Sequence, residues 1–365
     1  MKRMPQLRLE LTDTQWPLTY TDHDRQIVRA IAVDTAGDCW FVRARRDDEF
    51  GRGQTIETAG GGVEPGEDLP GAVLRELGEE LGAGAMVLDK IGVVSDFYNL
   101  IHRHNINHYF LCRILAFGER HLTRDEAEKY HLTPLKLSWE AAGAEYRRCA
   151  DHPLGRLIAA RELPVLTRAR ALMDTRRDVR AVCFGDSNTW GFDPRGFFGD
   201  RYACPWPEGA ARLTGFQVIN EGQNGRSIPR DGRSIARAWE AIARLRADIL
   251  VVMLGTNDLL AGADPAQAAA RMEAFLSRRG EQTVLLVAPP PMVRGAWVPD
   301  DALVLESRAL AGAFRALAAR LDIPFADAGE WGVDAAYDGV HFAEAGHGRF
   351  AEGIARALNG LAAAL

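Results

Sequence analysis

The 365-residue chain reads as an α/β protein of two domains that meet near residue 178. Two observations predict this: the first half is rich in strand-like runs around one clear helix, and the second alternates strand and helix regularly. In the first half, apolar-rich runs at 26–33, 39–43, 54–58, 86–97 and 107–117 read as strands. Between them, Leu69, Val73, Leu77 and Leu81 recur every fourth residue and predict a helix over 68–81. A second helical stretch, 153–173, runs into the charged segment 174–178. Beyond it, strand-like runs at 181–185, 216–220, 249–254, 283–287 and 323–326 alternate with helical patterns at 233–246, 265–279, 302–321 and 344–362. Such alternation implies a parallel sheet with helices on both faces. The expected domains are 1–178 and 179–365. The junction lacks Gly and Ser, which predicts little freedom between them.

Composition narrows the class. With 47% hydrophobic and 26% charged residues the chain is expected to be globular throughout. A net charge of −6 offers no electrostatic footprint for nucleic acid. Five scattered cysteines (39, 112, 149, 183, 204) lack any C-x-x-C pair, which fits a reducing compartment. No segment has the apolar length of a signal peptide core or a membrane span. The expectation is a cytoplasmic protein with small-molecule partners, without nucleic acid or membrane; the oligomeric state stays open.

Two groups of residues carry chemistry. In the first half, Glu76, Glu79 and Glu80 are spaced i, i+3, i+4, within about 100° of arc on one helix face. Three such charges repel one another, and hard divalent cations take oxygen ligands of this kind. The preceding Gly60-Gly61-Gly62 turn lets backbone approach a ligand closely. The plain alternative is a solvated glutamate face paired with Arg75.

The pattern Gly61-(x5)-Glu67-(x7)-Arg75-Glu76-Leu77-x-Glu79-Glu80-x-Gly82 resembles the box of the Nudix hydrolases. The resemblance covers about residues 25–150. It implies an α/β/α sandwich with a mixed sheet and a Mg²⁺ (or Mn²⁺) site made by Glu76, Glu79 and Glu80, with the Gly60 carbonyl as a further ligand. Glu79 stands also as a catalytic carboxylate, Arg75 as the residue that orients a glutamate by a salt bridge, and Glu67 as a brace for the loop. The implied reaction is attack of metal-activated water on a nucleoside diphosphate joined to another group. Ala59 stands where many members have proline, but this is not a ligand position. Glu126 and Glu128 are candidates for an additional carboxylate, against an exposed acidic loop. Tyr98 reads as a strand-end tyrosine. His102, His104 and His108 read as a polar loop and strand start, with metal or phosphate binding as the alternative.

In the second half elimination helps. No lysine follows residue 178, and the only histidines there are His341 and His347. Of the serines, Ser187 alone follows directly on an apolar strand and opens a loop. Ligands bind outside the carboxyl ends of strands in open α/β sheets, so Ser187 stands where a nucleophile is expected. Asp338 and His341 are three apart, which lets the carboxylate hold the imidazole tautomer. The blocks Gly185-Asp186-Ser187-Asn188, Asn220…Gly225, Gly255-Thr256-Asn257-Asp258 and Asp338-Gly339-Val340-His341 together resemble the SGNH (GDSL) hydrolases over about 179–365. That resemblance implies a flavodoxin-like parallel sheet and no cofactor. It implies Ser187 as nucleophile, His341 as general base, Asp338 as orienter, and an oxyanion hole from the Ser187 N–H, the Gly225 N–H and Asn257. Gly222 competes with Gly225. Asp186 and Asp258 read as loop-holding residues, and His347 as a surface or packing histidine. Trp190, Phe192, Phe197, Phe198, Tyr202 and Trp206 are candidates for an acyl or aryl pocket.

The combined expectation is a bifunctional hydrolase: a Mg²⁺-dependent diphosphatase joined to a serine esterase for small acyl esters. The alternative is a serine esterase or acyltransferase regulated by a nucleotide-binding, non-catalytic Nudix domain.

Overall fold

The computed structural model describes residues 4–196 and 200–362. The chain divides into two compact units, Met1–Thr175 and Arg176–Leu365.

Unit 1 is built from β1 (Leu7–Leu11), β2 (His23–Val33), β3 (Cys39–Asp48), β4 (Gly51–Glu57), α1 (Leu69–Leu81), β5 (Ala83–Tyr98), β6 (Arg103–Phe117), β7 (Thr133–Leu137), α2 (Trp139–Cys149) and α3 (Pro153–Arg176). Its sheet runs β1-β5-β6-β2-β3-β4, with β7 added beside β3. It is mixed: β1 and β2 run parallel to β5 and β6 respectively, and the other pairings are antiparallel. α1 starts where Asp68 accepts the Gly71 N–H and stops at Gly82, whose φ of 65° is the left-handed conformation glycine adopts freely. Val73, Leu77 and Leu81 face inward with Ala72 and pack on Val28, Ala30, Ala32 and Phe110 of the sheet. β1, β7 and α2 extend the pattern expected from sequence.

Unit 2 contains β8 (Arg180–Gly185), α4 (Ser187–Trp190), α5 (Trp206–Thr214), β9 (Gln217–Gly222), α6 (Gly232–Leu245), β10 (Ile249–Met253), α7 (Thr256–Leu260), α8 (Pro265–Leu276), β11 (Val284–Ala288), α9 (Asp301–Leu321), β12 (Phe325–Asp327) and α10 (Glu344–Ala362). All strands are parallel, in the order β12-β11-β10-β8-β9. Counted from the first strand of the unit this is the flavodoxin-like 2-1-3-4-5 order, with its direction of winding reversed between β8 and β10. β10 and β11 are buried along their whole length, as continuous apolar runs in a doubly covered sheet should be. Ser187 opens a one-turn helix, not the loop expected from sequence. Among the described residues, no helix is long and apolar enough to cross a membrane. All five cysteines are free.

Candidate active sites

In unit 2 the chemistry gathers at the carboxyl ends of β8 and β10, the switch point of the sheet. The turn out of β8 is tight: a Cβ on Gly185 would lie 1.9 Å from Thr189 Oγ1. Asp186 caps α4 by accepting the Asn188 N–H at 3.0 Å, which leaves Ser187 as the first helical residue. The N–H of such a residue has no intrahelical partner. Ser187 Oγ lies 3.0 Å from His341 Nε2, and His341 Nδ1 lies 2.6 Å from Asp338 Oδ2. With Nδ1 protonated toward the carboxylate, Nε2 is left as acceptor for the Ser187 hydroxyl.

Asp338 is fully buried. Burial alone would raise its pKa. The His341 side chain and the N–H groups of His341 and Val340, which both donate to Oδ1 at 2.9 Å, outweigh burial and hold it below the usual carboxylate range. Sequence reasoning gave Asn188 no role, yet its side chain donates to Val340 O (3.1 Å) and accepts from Phe342 N (2.9 Å). It thereby grips the chain on either side of His341. The residue lay in plain view within the Gly185–Asn188 block, but its two partners are more than 150 positions away.

The two glycines considered as oxyanion donors differ. The Gly222 N–H donates to Asn220 Oδ1 at 3.0 Å. A Cβ there would lie 2.1 Å from the Trp190 backbone nitrogen, so Gly222 lets β9 press against α4. Gly225 sits at φ 71° with open space around it. Asn257 Nδ2 donates to Arg226 O at 3.1 Å, leaving its second N–H. Asp258 is buried and accepts from Ile228 N (2.8 Å) and Arg271 (2.7 Å).

Of the aromatic candidates, Phe192 lies 4.6 Å from the His341 ring. Trp206 is buried against Phe350, and Tyr202 packs on His347. Phe197 and Phe198 lie outside the described residues. Trp297, which no sequence pattern singled out, meets His341 edge-on at 5.1 Å and is half exposed. His347 is a buried packing residue.

In unit 1 the three glutamates of α1 do not share one environment. Glu76 and Glu80, one turn apart, are each 6% exposed, whereas Glu79 turns outward. Arg75 Nη1 donates to Glu76 and Glu79, both at 2.9 Å, its Nε and Nη2 donate to Glu67, and Nη2 also donates to Gly62 O. One guanidinium therefore ties the helix to the glycine turn and screens two carboxylates. Glu80 instead accepts the Gly60 N–H at 2.9 Å. Burial raises the pKa of both Glu76 and Glu80, and the neighbouring carboxylates, Glu79 beside Glu76, Glu76 beside Glu80 and Glu126 facing both, add to it.

The donor set suits a hard cation. Gly61 lies flush under Glu76, where a Cβ would come within 2.5 Å of Oε1. Glu126 lines one cavity with Glu80 and a second with Glu76 and Glu79, while Glu128 pairs with Arg124 at the surface. Among the described residues no three His, Cys, Asp or Glu side chains converge to hold a metal. Buried carboxylates beside a close-approaching glycine backbone nonetheless match the all-oxygen chemistry of Mg²⁺ or Mn²⁺.

A cavity of about 280 Å³ opens beside Gly60 and Glu80, lined also by Arg25, Arg103, Phe50 and Tyr130. Arg103 Nε is buried without a hydrogen-bond partner, and burial and the charge of Arg25 lower the guanidinium's pKa. Tyr98 is buried and bonded to Arg161. The histidines go separate ways: His102 to Thr19, His104 to Ser95 and Asp24, His108 to Gln26.

These two sites sit in regions that match known families. The model of the NUDIX domain matches residues 23–148, and that of the GDSL-like lipase/acylhydrolase family matches 183–349. The chain is thus an enzyme that joins a NUDIX domain to a domain of the GDSL-like lipase/acylhydrolase family. Among solved structures it is similar to an aryl esterase of M. smegmatis at 28% identity, covering 50% of this chain and 99% of that one, TM-score 0.45. It is also similar to a carbohydrate acetylesterase from Sinorhizobium meliloti at 27% identity, covering 51% and 100%, TM-score 0.43. A lipase/acylhydrolase from Enterococcus faecalis matches at 21% identity, covering 50% and 96%, TM-score 0.41. A search of curated proteins found no match.

Proposed function

We propose that the protein is a bifunctional hydrolase, cleaving a small acyl ester in unit 2 and a nucleoside diphosphate linkage in unit 1. The Ser187–His341–Asp338 hydrogen-bond chain carries the first assignment. Ser187 Oγ attacks the ester carbonyl as its proton passes to His341 Nε2. Asp338 holds the ring and stabilises its cationic form. The N–H groups of Ser187 and Gly225 and the Asn257 amide receive the developing oxyanion. His341 then returns the proton to the leaving alkoxide, and water attacks the acyl-enzyme by the same route. Phe192 and Trp297 flank the imidazole and form an apolar wall for a short acyl or aryl group. Hydrolysis of p-nitrophenyl acetate by the parent, lost in Ser187→Ala, is the expected result. Unchanged turnover in that variant would remove the assignment.

For unit 1 the carrying observation is a cavity that joins carboxylates to arginines lacking a carboxylate partner. Glu76, Glu79, Glu80, the Gly60 carbonyl and Glu126 are the groups that would hold Mg²⁺ or Mn²⁺. A bound cation of this kind lowers the pKa of water and offsets phosphate charge. Arg25 and Arg103, which make no ion pair with a carboxylate among the described residues, are placed to receive phosphate oxygens. Phe50 lines the same cavity and is the ring placed to meet a base, while Arg46 and Lys129 lie over the Tyr130 ring. Arg75 holds Glu76 and Glu79 to the glycine turn. Cleavage of nucleoside diphosphate conjugates should require Mg²⁺ or Mn²⁺ and stop in EDTA, while ester cleavage continues. Full diphosphatase activity in chelator would sink this assignment. The domains are taken to divide at 178/179.

A further inference from the structure

Arg226 follows directly on Gly225, and its contacts reach every segment that supplies an oxyanion donor. Its Nη1 donates to Gly185 O, at the end of β8 and two residues before Ser187, at 3.0 Å, and also to Glu221 O in β9. Its Nη2 donates to Gln223 Oε1 at 3.1 Å. The backbone of the loop repeats the tie, with Gln223 N donating to Gly185 O and Arg226 N donating to Gln223 O, both at 3.1 Å. The guanidinium lies 4.1 Å from the centre of the Phe184 ring, which fixes its plane. Finally, the Arg226 carbonyl accepts from Asn257 Nδ2 at 3.1 Å and so sets the orientation of that amide.

We propose that Arg226 is the positioning residue of the oxyanion hole, holding the Ser187 turn, the Gly225 N–H and the Asn257 amide in one frame. The proposal rests on the esterase reading given above. Donors that stabilise an oxyanion work only when fixed in advance where the charge develops. Here they come from three segments that follow three different strands, with no covalent tie between them. A planar fork with several fixed donors can bridge the carbonyls of β8 and β9 simultaneously. Its own carbonyl then transmits that frame to the loop after β10. Arg226 touches no reacting atom, and its effect passes through the groups it holds.

The test uses the full chain and p-nitrophenyl acetate, with Arg226→Gln, Arg226→Lys, Asn257→Ala and the combined Arg226→Gln/Asn257→Ala variant. Asn257→Ala should lower kcat by about 10²–10³. Arg226→Gln should lower kcat by about tenfold or more with KM within about twofold, because the frame matters in the transition state. In the Asn257→Ala background the same change should cost only about twofold to threefold, since much of what Arg226 positions is already gone. Arg226→Lys keeps the charge but not the fork, and should fall with Arg226→Gln; combined with Asn257→Ala, it also carries the cycle should Arg226→Gln not fold. Parent-like kcat in a folded Arg226 variant, or losses that multiply in full, would overturn the proposal. A parent that cleaves no ester and takes up no fluorophosphonate would instead remove the esterase reading, and the proposal with it.

Discussion

Asp24, His104 and Ser95 form a second carboxylate–imidazole–hydroxyl chain, at 2.7 and 2.6 Å, within unit 1. Its distances rival those at Ser187, but its setting differs. Ser95 lies inside β5, paired with β1 on one side and β6 on the other, so the backbone donors around it belong to the sheet. Ser187 begins a helix, where N–H groups are free to meet an oxyanion. A fluorophosphonate should therefore label Ser187 alone, as peptide mapping by mass spectrometry will show; label on Ser95 would contradict the distinction. His347 bears on stability instead. Burial lowers its pKa from the ordinary 6.5 to about 4. The unfolded chain binds this proton as pH falls below 6.5 while the native state refuses it, so stability present at neutral pH is lost between about 6.5 and 4. Asp186, raised by burial to about 6, acts in the opposite sense, its contribution being lost as pH rises from 3.8 to about 6. Substituting one of the pair isolates it. Between pH 7.5 and 4.5 the parent should lose about 2–3 kcal/mol more than His347→Gln in urea unfolding. Equal losses would show that this imidazole is not the source.

The glycine turn before α1 separates two uses of the same residue type. At Gly61 the Glu76 carboxylate occupies the space a Cβ would need, with both oxygens within 2.8 Å of it. At Gly66 nothing lies within 4 Å, and only φ of 83° asks for glycine. Gly61→Ala should therefore lower diphosphatase activity by about tenfold or more, by moving a carboxylate ligand. Gly66→Ala should leave the rate near that of the parent and lower stability by about 1 kcal/mol through backbone strain. Activity assays and melting curves on the two variants read these effects separately. Similar rates in both would mean that the position of Glu76 is immaterial.

Joining two hydrolases in one chain suggests one molecule that presents both an ester and a diphosphate, such as an O-acylated ADP-ribose or an acylated nucleotide sugar. Tethering raises the effective concentration of an intermediate at the second site. The comparison is between the parent and an equimolar mixture of Ser187→Ala and Glu80→Gln chains, at matched numbers of working sites. On a doubly labile substrate the parent should release less free intermediate before full cleavage. Equal levels would leave the fusion without a kinetic role.

Much of this architecture is local in origin and could be read directly. The four-residue spacing of Leu69, Val73, Leu77 and Leu81 marks α1, and the apolar runs mark the strands of unit 2, because side-chain periodicity encodes which face is buried. Ser187, Gly225 and Asn257 likewise fall just past strand ends. Other elements left weaker traces. β1, with the alternating pattern of Leu7, Leu9 and Leu11, is only five residues long, and it becomes a strand through pairing with β5 more than eighty positions away. α5 buries Trp206 against α10, a contact no neighbouring residue announces. The grip of Asn188 on both flanks of His341 and the place of Arg103 on a cavity likewise depend on partners distant in sequence. Periodicity assigns a residue to a face; the order of strands and the register of their pairing decide what that face meets, and these are set by packing over the whole unit.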